Sequence, residues 1–570
     1  MKTRRINLQI LILVLTGIIL SYTGCKKDDE LPLSEIPSIT DVEPGEGTIG
    51  TELKITGTNF RDGAFVYVGD KASANTEVAS STVIYASVPS GITANELLAV
   101  TVRNKSGGEA VINSAFKAID PVLSFVNSAT KPSGNVGSTV ILEGKAFGDT
   151  QGSGQVLFSD DAGGTIAATI SSDDDWTDEF IVTTVPNGAA DGPVVVETEI
   201  GTSEEIPYMV TDAATFSPST INWTETTSLP VGVSGHKGLA IPIEGQTGET
   251  DRYVLVSGGR NGDGNALDQV VFGKINTDGT IGTWESTTPL SVGLSFHASV
   301  AATPFNSKVE GSGFVYVLGG TGDDGEPVTT VSKAALNSDG TLQSWSATTS
   351  LPQPLHSAGA VIFRSTIYVA GGATTGNTPV SAVYKAGINE DGTLGDWEVL
   401  PSLPEAVAYH GFVSFGGYLY SVGGERGIAD PDTDSQIDAT DAVYYSRINL
   451  RTGEIDDWTL NPNSLQKKRS KHTTLVLGGN MFVSSGLYDG LSPNVPGSSE
   501  NVYAGIKSDG TTEGFGGATG SNTLFSESGN NLFNQTGINY IDAEGVAHVM
   551  IIGGARYGSP DTKIDKVLFY

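Results

Sequence analysis

Cysteine occurs once in the 570 residues, at Cys25. No intrachain disulfide can form, and thiolate zinc sites, iron–sulfur clusters and cysteine nucleophiles are excluded from the rest of the chain. Basic residues are also scarce. Lys and Arg number 32 against 65 Asp and Glu, a formal net charge of −33. Such a field repels a phosphate backbone and an anionic membrane surface, so nucleic acid is not an expected partner. Beyond the first twenty residues there is no sustained 3.6-residue periodicity and no long apolar run, which excludes helix bundles in water or in lipid. The chain has no G-x-S-x-G elbow, no H-E-x-x-H pair and no phosphate-binding glycine loop with its lysine. What it does have is glycine, 73 residues, with 38% apolar content. That composition belongs to a turn-rich globular protein, and the length allows roughly three to five domains.

The N-terminus reads as an address. Lys2, Arg4 and Arg5 precede an apolar run from Ile6 to Leu20, followed by Ser21, Tyr22, Thr23, Gly24 and Cys25. A charged start, a short apolar stretch and small residues before a processing point describe a secretory signal. The placement of Cys25 resembles a bacterial lipoprotein box, with Tyr22 standing where an aliphatic residue is usual. This resemblance implies that residues 1–24 are a signal peptide and that Cys25 carries the lipid. Lys26, Lys27, Asp28, Asp29 and Glu30 follow, similar to the export signal of surface lipoproteins of Bacteroidota-type bacteria; a solvated tether over 25–36 is the plainer reading. Loss of the signal removes three basic residues and takes the net charge to −36.

From Pro37 onward, short alternating strands are broken by Gly, Pro, Asn and Ser, which predicts an all-β protein. Residues 37–60, with Pro44, Gly45, Gly47 and Gly50 setting turns, resemble the start of an IPT/TIG immunoglobulin-like domain. Leu53, Ile55 and Phe60 are then expected inside a sandwich spanning 37–119. Residues 120–213 repeat the plan more loosely, with Lys145-Ala146-Phe147 at the corresponding strand end. Such modules act as spacers or docking surfaces.

The remainder is periodic, and the period decides the fold. Trp223, Trp284, Trp345, Trp397 and Trp458 stand 61, 61, 52 and 61 residues apart, with Phe515 in the sixth place 57 further on. Glycine pairs at 258–259, 319–320, 371–372, 423–424 and 553–554 end apolar strands, and Ser485-Gly486 fills the remaining slot. Asn-x-Asp-Gly-Thr turns begin at Asn276, Asn337 and Asn389, with looser versions at Asn449 and Ile506. Three markers in step resemble the blades of a Kelch or galactose-oxidase-like propeller. The last unit lacks its Trp strand while residues 217–223 look like that strand without a blade, so the two are expected to pair and close the ring. The fold class expected is all-β: two immunoglobulin-like (IPT/TIG) β-sandwiches followed by a six-bladed Kelch-type β-propeller over 214–570.

Site candidates cluster around the glycine pairs, where loops share one face. The loops Glu425 to Asp441 and Leu487 to Asn501 are longer than Ala373 to Ser381. His236, His297, His356, His410 and His472 are read at one position in successive units. They form either an imidazole ring for a metal or a titrating mouth, or a repeated packing role. Arg260, Arg426 and Arg556 each follow a glycine pair; converging, they would make an anion-selective mouth, and the alternative is pairing with the abundant acids. Tyr488 and Tyr557 are placed to stack on a sugar. Asp430, Asp432, Asp434, Asp438 and Asp441 have EF-hand-like spacing for calcium, with Ser435 where the turn glycine belongs; a solvated acidic loop is the alternative.

Galactose-oxidase chemistry is excluded because its cross-linked cysteine is absent. The expected function is a lipid-anchored protein at the outer-membrane surface, catching an extracellular glycan for a TonB-dependent uptake system. A carbohydrate-active enzyme of the mutarotase or lyase type on the propeller face, as the Kelch resemblance allows, and an envelope scaffold binding another protein are the alternatives.

Overall fold

The computed structural model describes residues 36–126, 133–134, 136–210, 223–244, 250–303, 307, 309, 311–427, 438–477, 479–488, 501–517, 532–541, 547–556 and 559–570. The protein is all-β, as its alternation requires. Among the described residues no helix is long and apolar enough to cross a membrane.

The first sandwich packs a sheet of Ser38–Glu43, Glu52–Thr58, Val83–Ser87 and Thr76–Ser80 on a sheet of Glu46–Gly47, Glu109–Ala118, Leu97–Arg103, Phe65–Val68 and Lys71–Ala72. Leu53, Ile55 and Phe60 lie in its core, as the alternation predicts. Its first strand carries an irregularity between Ile39 and Asp41, opposite Gly57. A Cβ at Gly57 would run into the Ser38 carbonyl and the Phe60 ring, so only glycine fits. The second sandwich repeats the device: an irregularity between Leu123 and Phe125, Gly144 opposite, and the Phe147 ring beneath. Ala146 takes the left-handed backbone that Asn59 takes in the first sandwich, at φ +60° and +57°. The loose strand ending at 145–147 therefore keeps the geometry while changing the residue.

Residues from 223 onward form six four-stranded antiparallel sheets, and the first strand of each neighbours the first strand of the next. These first strands are Lys237–Glu244, Ala298–Ala302, Gly359–Phe363, Gly411–Phe415, Thr473–Leu477 and Thr536–Ile541, numbered here as sheets 1 to 6. Sheet 6 also neighbours sheet 1. Its fourth strand is Thr224–Thr226, paired antiparallel with Val567–Phe569. The two ends of this region thus pair and leave no open edge there, through the three residues just after Trp223; residues 217–222 of the expected strand lie outside the described residues.

Each repeated marker turns out to be a fastening between sheets, the tryptophans and Asp-Gly turns to the preceding sheet and the glycine pairs to the next. The indole N–H groups of Trp284, Trp345, Trp397 and Trp458 donate to the carbonyls of Thr227, Thr288, Thr349 and Pro401, at 2.9 to 3.1 Å. In each Asn-x-Asp-Gly-Thr turn the aspartate accepts from the threonine N–H and hydroxyl, as Asp278 does from Thr280 at 3.0 and 2.6 Å. The turn glycine then lies flat on an aromatic ring of the previous sheet: Gly340 on Tyr253, and Gly392 on Phe314. The glycine pairs serve the inner rim. Gly259, Gly320, Gly372, Gly424, Gly486 and Gly554 donate to the carbonyls of Leu294, Leu355, Val407, Arg469, Leu532 and Val233, each in the next sheet, at 2.8 to 3.0 Å.

The second sandwich packs on this ring through Arg447, whose guanidinium meets Asp175 at 2.6 Å, and through Arg364 over the Phe180 ring. Arg364, Gly416, Gly417 and Arg447 sit at the strand ends opposite the glycine pairs. The glycine-pair face is therefore not the one the sandwich covers. Burial raises the Asp175 carboxyl above its usual range, with Arg447 opposing.

Two glycines distinguish crowding from strain. Gly320 has φ +96°, and a Cβ there would meet His297 Cβ at 2.8 Å and the Ser295 carbonyl at 2.9 Å; Gly325, at φ +75°, faces open space. Gly325→Ala is expected to cost about 1 kcal/mol through the backbone alone. Gly320→Ala adds a steric clash against backbone and should cost roughly 3 kcal/mol, read from denaturant midpoints of the two variants.

Candidate functional site

The inner rim is built on one backbone feature. The residue two before each first strand adopts a left-handed conformation: Gly235, Phe296, Ser357, Tyr409, Lys471 and Asn534, with φ between +53° and +63°. This geometry turns both peptide groups tangentially around the axis. Phe296 N–H donates to the Gly235 carbonyl, Ser357 to Phe296, Tyr409 to Ser357, Lys471 to Tyr409, Asn534 to Lys471, and Gly235 to Asn534, at 2.7 to 3.1 Å. The six bonds form a closed circle. Five of its members are not glycine, and bulky side chains in this region are outliers that the surrounding packing must hold.

The next residue in each sheet is the wedge between neighbours. It is His236, His297, Ala358, His410, His472 and Gln535 in order, which corrects the expected register of His356. His356 lies two positions earlier, where its Nδ1 contacts the Ser357 hydroxyl at 3.0 Å, and Ala358 occupies the common place. The imidazoles press on the first glycine of the preceding sheet: Cβ atoms at Gly258 and Gly371 would each lie 2.8 Å from Cε1 of His297 and His410. His297 Nε2 pairs with the Ser257 hydroxyl at 3.0 Å and His236 Nε2 with the Ile552 carbonyl at 3.1 Å. Gln535 does the same work with its amide, donating to the Ser484 carbonyl at 3.1 Å.

Burial depresses these histidines to about 3 for His236, His297, His410 and His472, and to about 4 for His356. All five are neutral at physiological pH, four of them as wedges, so a mouth titrating near neutrality is corrected to a packing role. Among the described residues no group of three or more His, Asp or Glu is placed to hold a metal.

Toward the glycine-pair side, Phe296 and Tyr409 meet edge to face at 5.7 Å and pack with Ala373 and Ala408. Beside them, Lys471 and Glu425 form an ion pair at 3.4 Å with neither side chain more than 1% exposed. Glu425 also accepts from the Ser470 hydroxyl at 2.7 Å. Breaking such a pair leaves a charge stranded in a low-dielectric interior.

The three arginines are held by protein groups. Arg260 donates from Nε to the Ser295 hydroxyl at 3.0 Å and from its two terminal nitrogens to the Gly264 and Gly322 carbonyls at 3.0 and 3.1 Å. Arg426 pairs with Asp438 at 2.7 Å and Glu405 at 3.7 Å. Arg556 is half-buried in a short strand paired with Leu532–Phe533. Tyr488 is buried, its hydroxyl accepting from Arg469 at 3.3 Å, with the Lys467 ammonium 4.9 Å from its ring centroid. The Lys467 and Arg469 cations lie against its ring, which corrects its reading as a residue placed to stack on a sugar. Tyr557, Asp430, Asp432 and Asp434 lie outside the described residues. Of the remaining acids in that spacing, Asp438 meets Arg426, and Asp441 accepts from the Ser464 hydroxyl at 3.3 Å.

Sequence reasoning missed Phe296, Tyr409, Lys471 and Glu425. Their shared signal is register: the first three stand immediately before the wedge position, and Glu425 immediately after a glycine pair.

With this geometry in place, comparison with known proteins adds one domain. Residues 37–118 match the IPT/TIG domain family. The first sandwich is therefore an IPT/TIG domain. No curated protein matches the chain. Among solved structures, one described as "Structure of YjhT" is similar at 14% identity and TM-score 0.42, covering 60% of this chain and 96% of that one.

The wedges predict a pH response. A histidine held far below its ordinary value contributes stability that is complete above about 6.5 and is lost as pH falls toward the folded value. Between pH 6.5 and 5, each of the four wedges should cost about 2 kcal/mol, because only the unfolded chain takes up the proton. Denaturant titrations across that range should show a steep loss in the parent protein. The slope should be shallower by one proton in His297→Gln, which copies the glutamine wedge of sheet 6.

Proposed function

We propose that residues 214–570 form a six-bladed Kelch-type propeller that binds an extracellular ligand, a glycan first, on its glycine-pair face. The chain is read as an outer-membrane lipoprotein anchored through Cys25, with the IPT/TIG domain and a second, similar sandwich as spacers. Capture serves a TonB-dependent uptake system. The observation that carries this reading is the disposition of faces. The second sandwich packs at the strand ends opposite the glycine pairs, through Arg447 and Arg364. Connections 258–269, 319–330 and 371–382 on the other face are equal in length, while 423–442 and 485–500 are longer. A rigid scaffold with unequal loops on its uncovered face is the arrangement by which one fold presents a specific surface. Arg260 and Arg426, part-exposed there and fixed by hydrogen bonds, present guanidinium edges suited to uronic or otherwise anionic sugars.

Two measurements test this. Mature protein run through gels containing neutral and anionic polysaccharides, with and without calcium, should be retarded by at least one anionic glycan. Arg260→Ala should lower that retardation about tenfold, the loss of one charge-assisted hydrogen-bonding group. In cells, Cys25→Ala should abolish incorporation of labelled palmitate and release the protein from the membrane fraction. No retardation by any glycan contradicts the ligand class; continued membrane anchoring without Cys25 contradicts the anchor.

A further inference from the structure

We propose that the axial cavity beneath the hydrogen-bonded circle is a binding site for one small monoanion, held by the Lys237 ammonium. The cavity, about 150 Å³, extends from the circle along the inner strands, away from the glycine-pair loops. With a liquid-water share of about 30 Å³ per molecule, it has room for a halide or a two-carbon carboxylate together with water.

The charge of its lining is what distinguishes it. In a chain with twice as many acids as bases, the described residues around this cavity include Lys237 and Lys471 and no Asp or Glu. Lys471 is already balanced by Glu425 at 3.4 Å, on the side of the circle away from the cavity. Lys237 has no acid partner among the described residues, and it is the one charged side chain at its position: the other five sheets begin with Ala298, Gly359, Gly411, Thr473 and Thr536. One uncompensated positive charge asks for one negative charge, which favours a monoanion over phosphate or sulfate.

The rest of the lining is neutral, among it Ser357, Thr473, Thr536 and Gln535. Burial pushes the Lys237 ammonium below its ordinary value, and a bound anion would restore its charge. This site is separate from the loop face, so it stands or falls independently of the ligand bound there.

The test uses mature full-length protein. Melting temperatures are measured in sodium bromide and, separately, sodium acetate, for the parent and for Lys237→Met. A saturable rise seen in the parent and absent from the variant is expected. Bromide alone acting identifies a halide site, and acetate alone identifies a carboxylate site. Should Lys237→Met fail to fold, crystals of the parent grown in bromide decide the matter, with one anomalous peak expected beside Lys237 Nζ. Equal responses of parent and variant to both salts, or an axial cavity holding water alone in both, would overturn the proposal.

Discussion

The structure from residue 223 onward depends on six backbone hydrogen bonds that close on themselves. Each joins the left-handed residue of one sheet to that of its neighbour, from Gly235 through Phe296, Ser357, Tyr409, Lys471 and Asn534 back to Gly235. A left-handed L-residue costs roughly 1–2 kcal/mol, so Phe, Tyr and Lys hold this conformation only because the circle and the wedges below it over-determine the backbone. A second set of six bonds, from the glycine pairs to the next sheet, lies just outside the first. The tryptophan latches and Asp-Gly turns fasten the outer strands. Every marker thus acts between sheets, which makes the six a cooperative unit rather than a row of independent pieces.

This explains what could be read in the sequence and what could not. Tryptophan, the glycine pair and the Asp-Gly turn are visible because each job favours one residue type, an indole donor, a backbone without Cβ, a left-handed turn, with Phe515 and Ser485 as the exceptions. The innermost circle imposes its demand on φ alone, so Gly, Phe, Ser, Tyr, Lys and Asn all satisfy it, and no residue pattern marks it. His356 drew attention as a fifth histidine, but the same 61-residue step that leads from His236 to His297 leads from His297 to Ala358, which fills the wedge. The arginines were found by their closeness to the glycine pairs. Their guanidinium groups could not be assigned to partners from spacing, since Ser295, Gly322 and Glu405 come from other turns of the chain. The sandwich core was legible for the usual reason, strict alternation through Leu53 and Ile55.

Function follows the same division. Side chains near the axis are committed to holding the ring: neutral imidazoles between sheets, the Lys471–Glu425 pair, the Phe296–Tyr409 contact. The loops beyond them carry the variation in length, on the face that the second sandwich leaves uncovered. A rigid inner circle with variable outer loops separates stability from recognition, and it places Lys237, which has no acid partner among the described residues, in a cavity whose chemistry differs from that of the loops.

The central claim is that the circle closes the six sheets into one cooperative unit. Native-state hydrogen exchange at the amides of Gly235, Phe296, Ser357, Tyr409, Lys471 and Asn534 tests it most directly. The account predicts that all six exchange with a single opening free energy equal to that of global unfolding of the ring. Exchange of one or two of these amides at markedly lower free energy, with the others still protected, would contradict it.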